Sequence, residues 1–339
     1  MTNLFKKVAA ATDLHFGRRN NSKAHNDDCE NFIDWFIHTA KKNDCDTCII
    51  LGDWHDHRAT IHVTTLTYSD RCIEKLSKNF EKVYLIQGNH DSFHKHSLDL
   101  NSFPYARHFP NITIVNEIME VGNVALVPWL VGEEWRKMKT IHSKYLFAHL
   151  ELPNFYMNAQ VLMPDHGGLT SNEFPNQEYV FTGHFHKRQS RGNIHYIGNA
   201  FPHTFADAWD DERGMMMLEW GGKPHYEAWP DAPKFRTLTL SKLLENPELY
   251  LDSNTFAKVT VDVDLSFEES NLLKDNFQTL YEVREISFVP PKNEEHSEEW
   301  GDENIEFESV DKIVLTQLSA IDSEKINKSL LIDIYNNLN

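Results

Sequence analysis

The stretch YLIQGNHDSFH, residues 84–94, follows Val83 with an apolar run suited to a buried strand and then opens onto Gly88, Asn89, His90 and Asp91. Glycine permits a tight backbone turn, and the three polar residues after it can all bind metals or move protons. One such cluster is weak evidence. It gains meaning only if other strand ends carry matching groups, so the neighbouring strands have to be found first.

Upstream, KKVAAATD reads as a strand ending at Asp13, and TCIILGD reads as a second buried strand. Between them, residues 27–42 place Cys29, Phe32, Ile33, Phe36 and Ala40 on one helical face, and after the second strand residues 63–80 predict another helix with Leu66, Ile73, Leu76 and Phe80 inward. Nearly continuous apolar strands alternating with helices point to βαβ units and a covered, mostly parallel sheet. After residue 110 short strands dominate: ITIVNEIMEV, NVALVPWL, YLFAHLEL, EYVFTGHFH, NIHYIGN and GMMMLEW, with a hairpin turn expected at Val121, Gly122 and Asn123. These predict a second sheet packed on the first, with helices over the outer faces. The fold class is therefore α/β, a two-sheet β-sandwich flanked by helices.

Glycine and proline cluster at residues 221–236, and beyond them AKVTVDVDL, a helix capped by Ser266 and Glu269, and REISFVP form a small strand-helix-strand module. The expected organisation is a catalytic domain over 1–225, a small α+β cap over 230–290, an acidic linker over 291–308 and a C-terminal helical tail over 309–339. Residues 293–311 contain nine acidic residues and no lysine or arginine, half of the formal net charge of −18. That concentration softens the argument the charge makes against a nucleic-acid partner. No apolar run approaches the ~20 residues of a membrane span, and the N-terminus reads as a core strand, so the expectation is a cytoplasmic protein without a membrane partner. Four cysteines do not suggest a disulfide scaffold, and Cys45 and Cys48 read as buried thiols rather than a zinc pair.

With the strands placed, the pattern around Gly88 repeats. Strand ends deliver Asp13 and His15, then Gly52, Asp53 and Asp56, then Gly88, Asn89, His90 and Asp91, then His149, and finally Gly183, His184 and His186. In open α/β sheets the carboxyl ends of strands are where sites form. Imidazole with carboxylate suits manganese, iron or zinc, and two ions about 3.5–4 Å apart need a bridging carboxylate. Asp13, His15, Asp53, Asn89, His149, His184 and His186 supply seven ligands, enough for two positions sharing one aspartate. His90 is left over to protonate a leaving oxygen, with Asp56 or Asp91 able to orient its imidazole. Arg18, Arg58 and Arg188 beside these loops are candidate phosphate contacts.

In this order the motifs D-x-H, G-D-x-x-D, G-N-H-D, a strand-end histidine and G-H-x-H resemble those of the calcineurin-like metallophosphoesterases, over roughly residues 6–220. The resemblance implies one metal held by Asp13, His15, Asp53 and His186 and another by Asp53, Asn89, His149 and His184. The block GHFHKRQSRGNIHYIGNAFPHTFAD and the terminal modules resemble the SbcD-type DNA repair nucleases, and HLELPNFYMN is similar to phage members that serve as nuclease subunits of T-even recombination complexes. That implies two Mn2+ ions (Mg2+, Fe2+ or Zn2+ as alternatives), 3′→5′ exonuclease action on duplex DNA ends and endonuclease action on single strands. It also implies a DNA-contacting cap, an SbcC-type coiled-coil ABC ATPase bound by the tail, and a homodimer. The other readings of the same chain are a small-molecule or protein phosphoesterase and a weakly catalytic ATPase adaptor.

Overall fold

Two six-stranded sheets face each other and put the expected strand ends at one edge. In the computed structural model, which describes residues 3–157 and 161–291, the first sheet has the order β12-β11-β1-β2-β3-β4. Its centre is β1 (Lys7–Ala11), β2 (Thr47–Ile50), β3 (Lys82–Ile86) and β4 (Ile112–Val115), all parallel. The second sheet has the order β5-β6-β7-β8-β10-β9, with β6 (Val124–Val127), β7 (Tyr145–His149), β8 (Tyr179–Gly183) and β10 (Ile194–Tyr196) parallel. Its edges are β5 (Met119–Val121) and β9 (Gln189–Arg191).

Alternation along the strands divides the core. Val8, Ala10, Ile49, Leu51 and Ile86 meet Val124, Leu126, Phe147 and Phe181 between the sheets. Ala9, Ala11, Cys48, Ile50 and Leu85 face the other way, onto Phe32, Phe36, Ile73 and Leu76 of α1 (Lys23–Lys42) and α2 (Val63–Asn79). Each residue removed from water on both sheet faces adds roughly 1.5–3 kcal/mol of favourable transfer, which is why these strands need no polar alternation. All four cysteines are free and buried, as expected.

Several expectations change. Leu66 is 38% exposed, because the first turn of α2 packs through Thr65, which is 1% exposed and bonded to Asn26. The outer face of the second sheet is covered by a short 3-10 helix, Glu134–Thr140, and by loops carrying Leu150, Phe155 and Phe174 rather than by α-helices. The strand read from GMMMLEW, β11 (Gly214–Glu219), returns to the first sheet beside β1, and β12 (His225–Ala228) continues that sheet past the boundary expected at 225. Both strands are antiparallel, so they close the edge of a parallel core. The hairpin turn at Gly122 and Asn123 is present, with φ of 54° and 63°.

The following module has one more strand and one more helix than expected. It is a parallel three-stranded sheet of β13 (Lys234–Thr239), β14 (Thr255–Thr260) and β15 (Glu285–Val289), with α3 (Leu240–Glu245) and α4 (Phe267–Tyr281). Ser266 and Glu269 form the capping box of α4. The module is tied to the first body by Arg284, whose guanidinium donates to Asp28 at 2.6 Å, and by Arg19, stacked 4.3 Å over Phe256. It belongs to one compact unit ending at Pro290. The acidic linker expected over 291–308, beyond Pro291, and the helical tail expected over 309–339 lie outside the described residues. Among the described residues no helix is long and apolar enough to cross a membrane.

Candidate metal centre

The turns after β1, β2 and β8 are strained in the same way. Asp13, His15, Asp53 and His184 all have left-handed backbones, with φ of 54°, 54°, 52° and 89°. Non-glycine residues adopt this region at a cost, and such residues cluster at functional sites. The strand glycines make room: a Cβ on Gly52 would run into the His149 ring, and one on Gly183 into Thr12. Close approach of the two sheets, not turn geometry alone, demands glycine there.

The side chains converge. Asp53 is central: its Oδ1 accepts the His90 N–H at 2.9 Å, while Oδ2 lies 3.7 Å from His15 Nε2 and 3.4 Å from His149 Nε2. On one side, His15 Nε2 is 3.8 Å and His186 Nε2 3.9 Å from Asp13 Oδ1. On the other, Asn89 Oδ1 is 3.0 Å from His149 Nε2 and 3.2 Å from His184 Nδ1. Atoms bound about 2.0–2.2 Å from one ion sit about 3–4 Å apart, the spacing seen on both sides. All seven expected ligands are brought together, and Asp53 stands between the two groups.

Hydrogen bonds aim the donors. The Leu51 carbonyl accepts His149 Nδ1–H at 2.7 Å, which leaves Nε2 for a metal. The Asp13 Oδ2 accepts from Thr12 Oγ and from the His184 N–H, which leaves Oδ1. Asp13 Oδ1 and His15 Nε2 are buried without a hydrogen-bond partner. Orphaned acceptors facing one another at ligand spacing fit a divalent cation. Burial works against charge on His15 and His149, but the carboxylates of Asp13 and Asp56 lift His15, and that of Asp53 lifts His149, each to about 9. Burial likewise opposes ionisation of Asp13, yet the histidines His15, His149 and His186 hold it at about 2. Burial instead lowers His186 to about 4, so its imidazole is neutral and free to ligate, while a cation would displace the protons held on His15 and His149.

The helpers are arranged differently from the expectation. His90 Nδ1 donates to the backbone carbonyl of Asp56 at 2.7 Å, not to a carboxylate. The Asp56 carboxylate instead lies 3.2 Å from His15 Nδ1 and 3.1 Å from Arg18. Asp91 accepts the His55 and Gly88 N–H groups at 3.0 and 2.9 Å and so shapes the turn of the G-N-H-D motif. Burial and the neighbouring Asp53 raise its pKa to about 6. Arg58 is half-buried on the loop after Asp56. Arg188 donates to the Ile197 carbonyl at 3.1 Å and stacks 4.8 Å over Tyr226, so its guanidinium is engaged within the fold.

The matched family model is the calcineurin-like phosphoesterase, over residues 6–206. The chain belongs to that family. A curated relative, Exonuclease subunit 1 of Enterobacteria phage T4, is 26% identical over 313 residues, spanning 89% of each chain. Among solved structures, Pseudomonas putida nuclease MPE matches with a TM-score of 0.30 and 22% identity, covering 56% of this chain and 66% of its own. A dimetal phosphatase from Danio rerio matches with a TM-score of 0.38 and 11% identity, covering 62% and 91%.

This phosphoesterase also recruits residues that the sequence patterns did not single out. Glu151 Oε2 lies 3.1 Å from His184 Nε2, Trp129 packs its ring 5.0 Å from that of His184, and Arg213 donates to the His186 carbonyl. Glu151 follows His149 at one residue's remove, a spacing that could have drawn attention to it. Nothing local marks Arg213, which arrives from the far end of the loop before β11.

Proposed function

We propose that this phosphoesterase is a two-metal phosphodiesterase acting on DNA, the nuclease subunit of a complex with a coiled-coil ABC ATPase. Its reactions are 3′→5′ exonuclease cleavage at duplex ends and endonuclease cleavage of single strands, with manganese as the working ion. The observation that carries the chemistry is Asp53 Oδ2, poised between His15 and His149 at 3.7 and 3.4 Å. Asp13, His15, Asp53 and His186 would hold one ion, and Asp53, Asn89, His149 and His184 the other. Two such ions, when bound, would supply positive charge to the phosphate oxygens and lower the pKa of an attacking water.

The chain's own residues do the rest. His90, with Nδ1 tied to the Asp56 carbonyl, keeps Nε2 for the departing 3′ oxygen. Burial and His15 hold its pKa down, and an entering phosphate favours the protonated form that can donate. Arg18, paired with Asp56 beside His15, would meet phosphate oxygens. The reading as a complex subunit is supported by similarity to a phage protein named as an exonuclease subunit, along 89% of this chain.

The test is hydrolysis of end-labelled duplex DNA with manganese, set against a simple phosphomonoester. Cleavage of DNA with little action on the monoester is expected. Efficient monoester turnover with intact DNA would replace this reading by a small-molecule or protein phosphoesterase.

A further inference from the structure

His203 sits at the foot of the same cluster, and the ligand motifs give it no role. It is only 1% exposed, and neither ring nitrogen has a hydrogen-bond partner. Its ring centroid lies 5.6 Å from that of His15 and 5.4 Å from that of His186, near-perpendicular to both. A nitrogen of His203 lies within 4.8 Å of donor nitrogens of both those residues. The third neighbour, His25, cannot serve as its partner through Nε2, because that nitrogen faces the Leu14 and His15 carbonyls at 3.1 and 3.0 Å. The loop is held in place: Asp207 Oδ2 accepts the N–H groups of His203 and Thr204 at 2.9 and 3.2 Å.

A purely structural role would suit an apolar ring better. Packing against Phe201, 4.9 Å away, needs no nitrogen, and a buried imidazole without a partner is unfavourable. We propose that His203 is a fifth protein ligand of the metal position formed by Asp13, His15, Asp53 and His186. That position then holds three imidazoles and two carboxylates, against two imidazoles at its neighbour. Imidazole-rich sites select borderline transition ions over magnesium, so this position loads first and holds its ion more tightly.

The proposal rests on the two-metal reading, and one titration separates them. Full-length protein stripped with chelator is titrated with Co2+, following visible absorption and heat. Wild type is expected to bind two ions in two phases. In His203→Phe and His203→Leu the tighter phase weakens, by roughly the 10–100-fold typical of a lost supporting group or more, and its absorption band shifts, while the weaker phase is unchanged. Unchanged affinities and spectra in both variants overturn the role of His203 and leave the two-metal reading standing. Fewer than two ions on wild type overturns both. Thermal melting in chelator checks that the variants fold. If neither does, NMR of wild type with one equivalent of Co2+ decides: signals from three hyperfine-shifted imidazoles support the proposal, and two refute it.

Discussion

The two proposed metal positions share Asp53 but are built by different means. Around Asp13, His15 and His186 the donors stand 3.7–3.9 Å apart, Asp13 Oδ1 and His15 Nε2 have no hydrogen-bond partner, and the backbones of Asp13 and His15 are left-handed. Around Asn89, His149 and His184 the donors touch one another at 3.0–3.2 Å and are steadied by the Leu51 carbonyl and Glu151. Left-handed backbones serve both positions, since His184 is strained as well, so what sets the first apart is its unpartnered donors. The second is held by side-chain contacts that persist without an ion. Donors that the fold leaves unpartnered are unsatisfied without an ion, whereas donors that contact one another are not, so the first position has more to gain from a cation.

The largest expected effect comes from removing what the two positions share. Asp53→Ala should lower DNA cleavage by more than about 1,000-fold, since metal ions supply several kcal/mol to such transition states; manganese-dependent rates near wild type would exclude the shared-carboxylate geometry. His90→Gln comes next, with a loss on the order of 100–10,000-fold in kcat and undiminished metal content by elemental analysis. A parallel fall in bound metal would move His90 into the ligand set.

A smaller pair of variants sharpens the contrast itself. In chelator, Asn89→Ala should lose about 1–2 kcal/mol of stability in urea unfolding, because its contacts to His149 and His184 exist without an ion. His186→Ala should lose less in chelator but forfeit more of the stabilisation gained on adding manganese. The reverse order would show that the two positions are equivalently prepared.

The gentlest probe addresses the scaffold beneath both positions. Burial lowers the pKa of His55 to about 3, and its Nδ1 lies 2.7 Å from Ser102 Oγ. An imidazole with a depressed folded pKa is stabilising above its unfolded value of about 6.5 and loses that contribution as pH falls toward 3. Chelated wild type should therefore weaken on acidification through this window, by at most about 1.4 kcal/mol per pH unit from this group. His55→Gln should flatten the slope. An unchanged slope would place the proton uptake elsewhere.

Much of the site was legible because its signals are local. A continuous apolar run predicts a buried strand, and Asp, Asn or His at its end, preceded by glycine at three of the five ends, predicts a polar turn; all five ends lie at the cleft. The strands nearest the antiparallel edge were harder. GMMMLEW has the same texture whether it joins the first sheet or the second, and only pairing with β1 through Ala9 and Met217 distinguishes them. Leu66 fits an amphipathic pattern that does not reveal where the neighbouring structure stops. Either Asp56 or Asp91 is expected to orient His90 through its carboxylate, yet the backbone carbonyl of Asp56 does so: carbonyl against carboxylate is not written in residue type.

Taken alone, the order of residues determined which chemical groups the cleft would contain, since turn chemistry and strand burial act over a few positions. Which atom of each group meets which partner was decided only by folding. Contacts such as His184 N–H to Asp13, 171 positions apart, or the approach of His203 to His15 and His186, depend on how two sheets close against each other. Burial then removes water as an alternative partner, and the distances that result set the charge on each group.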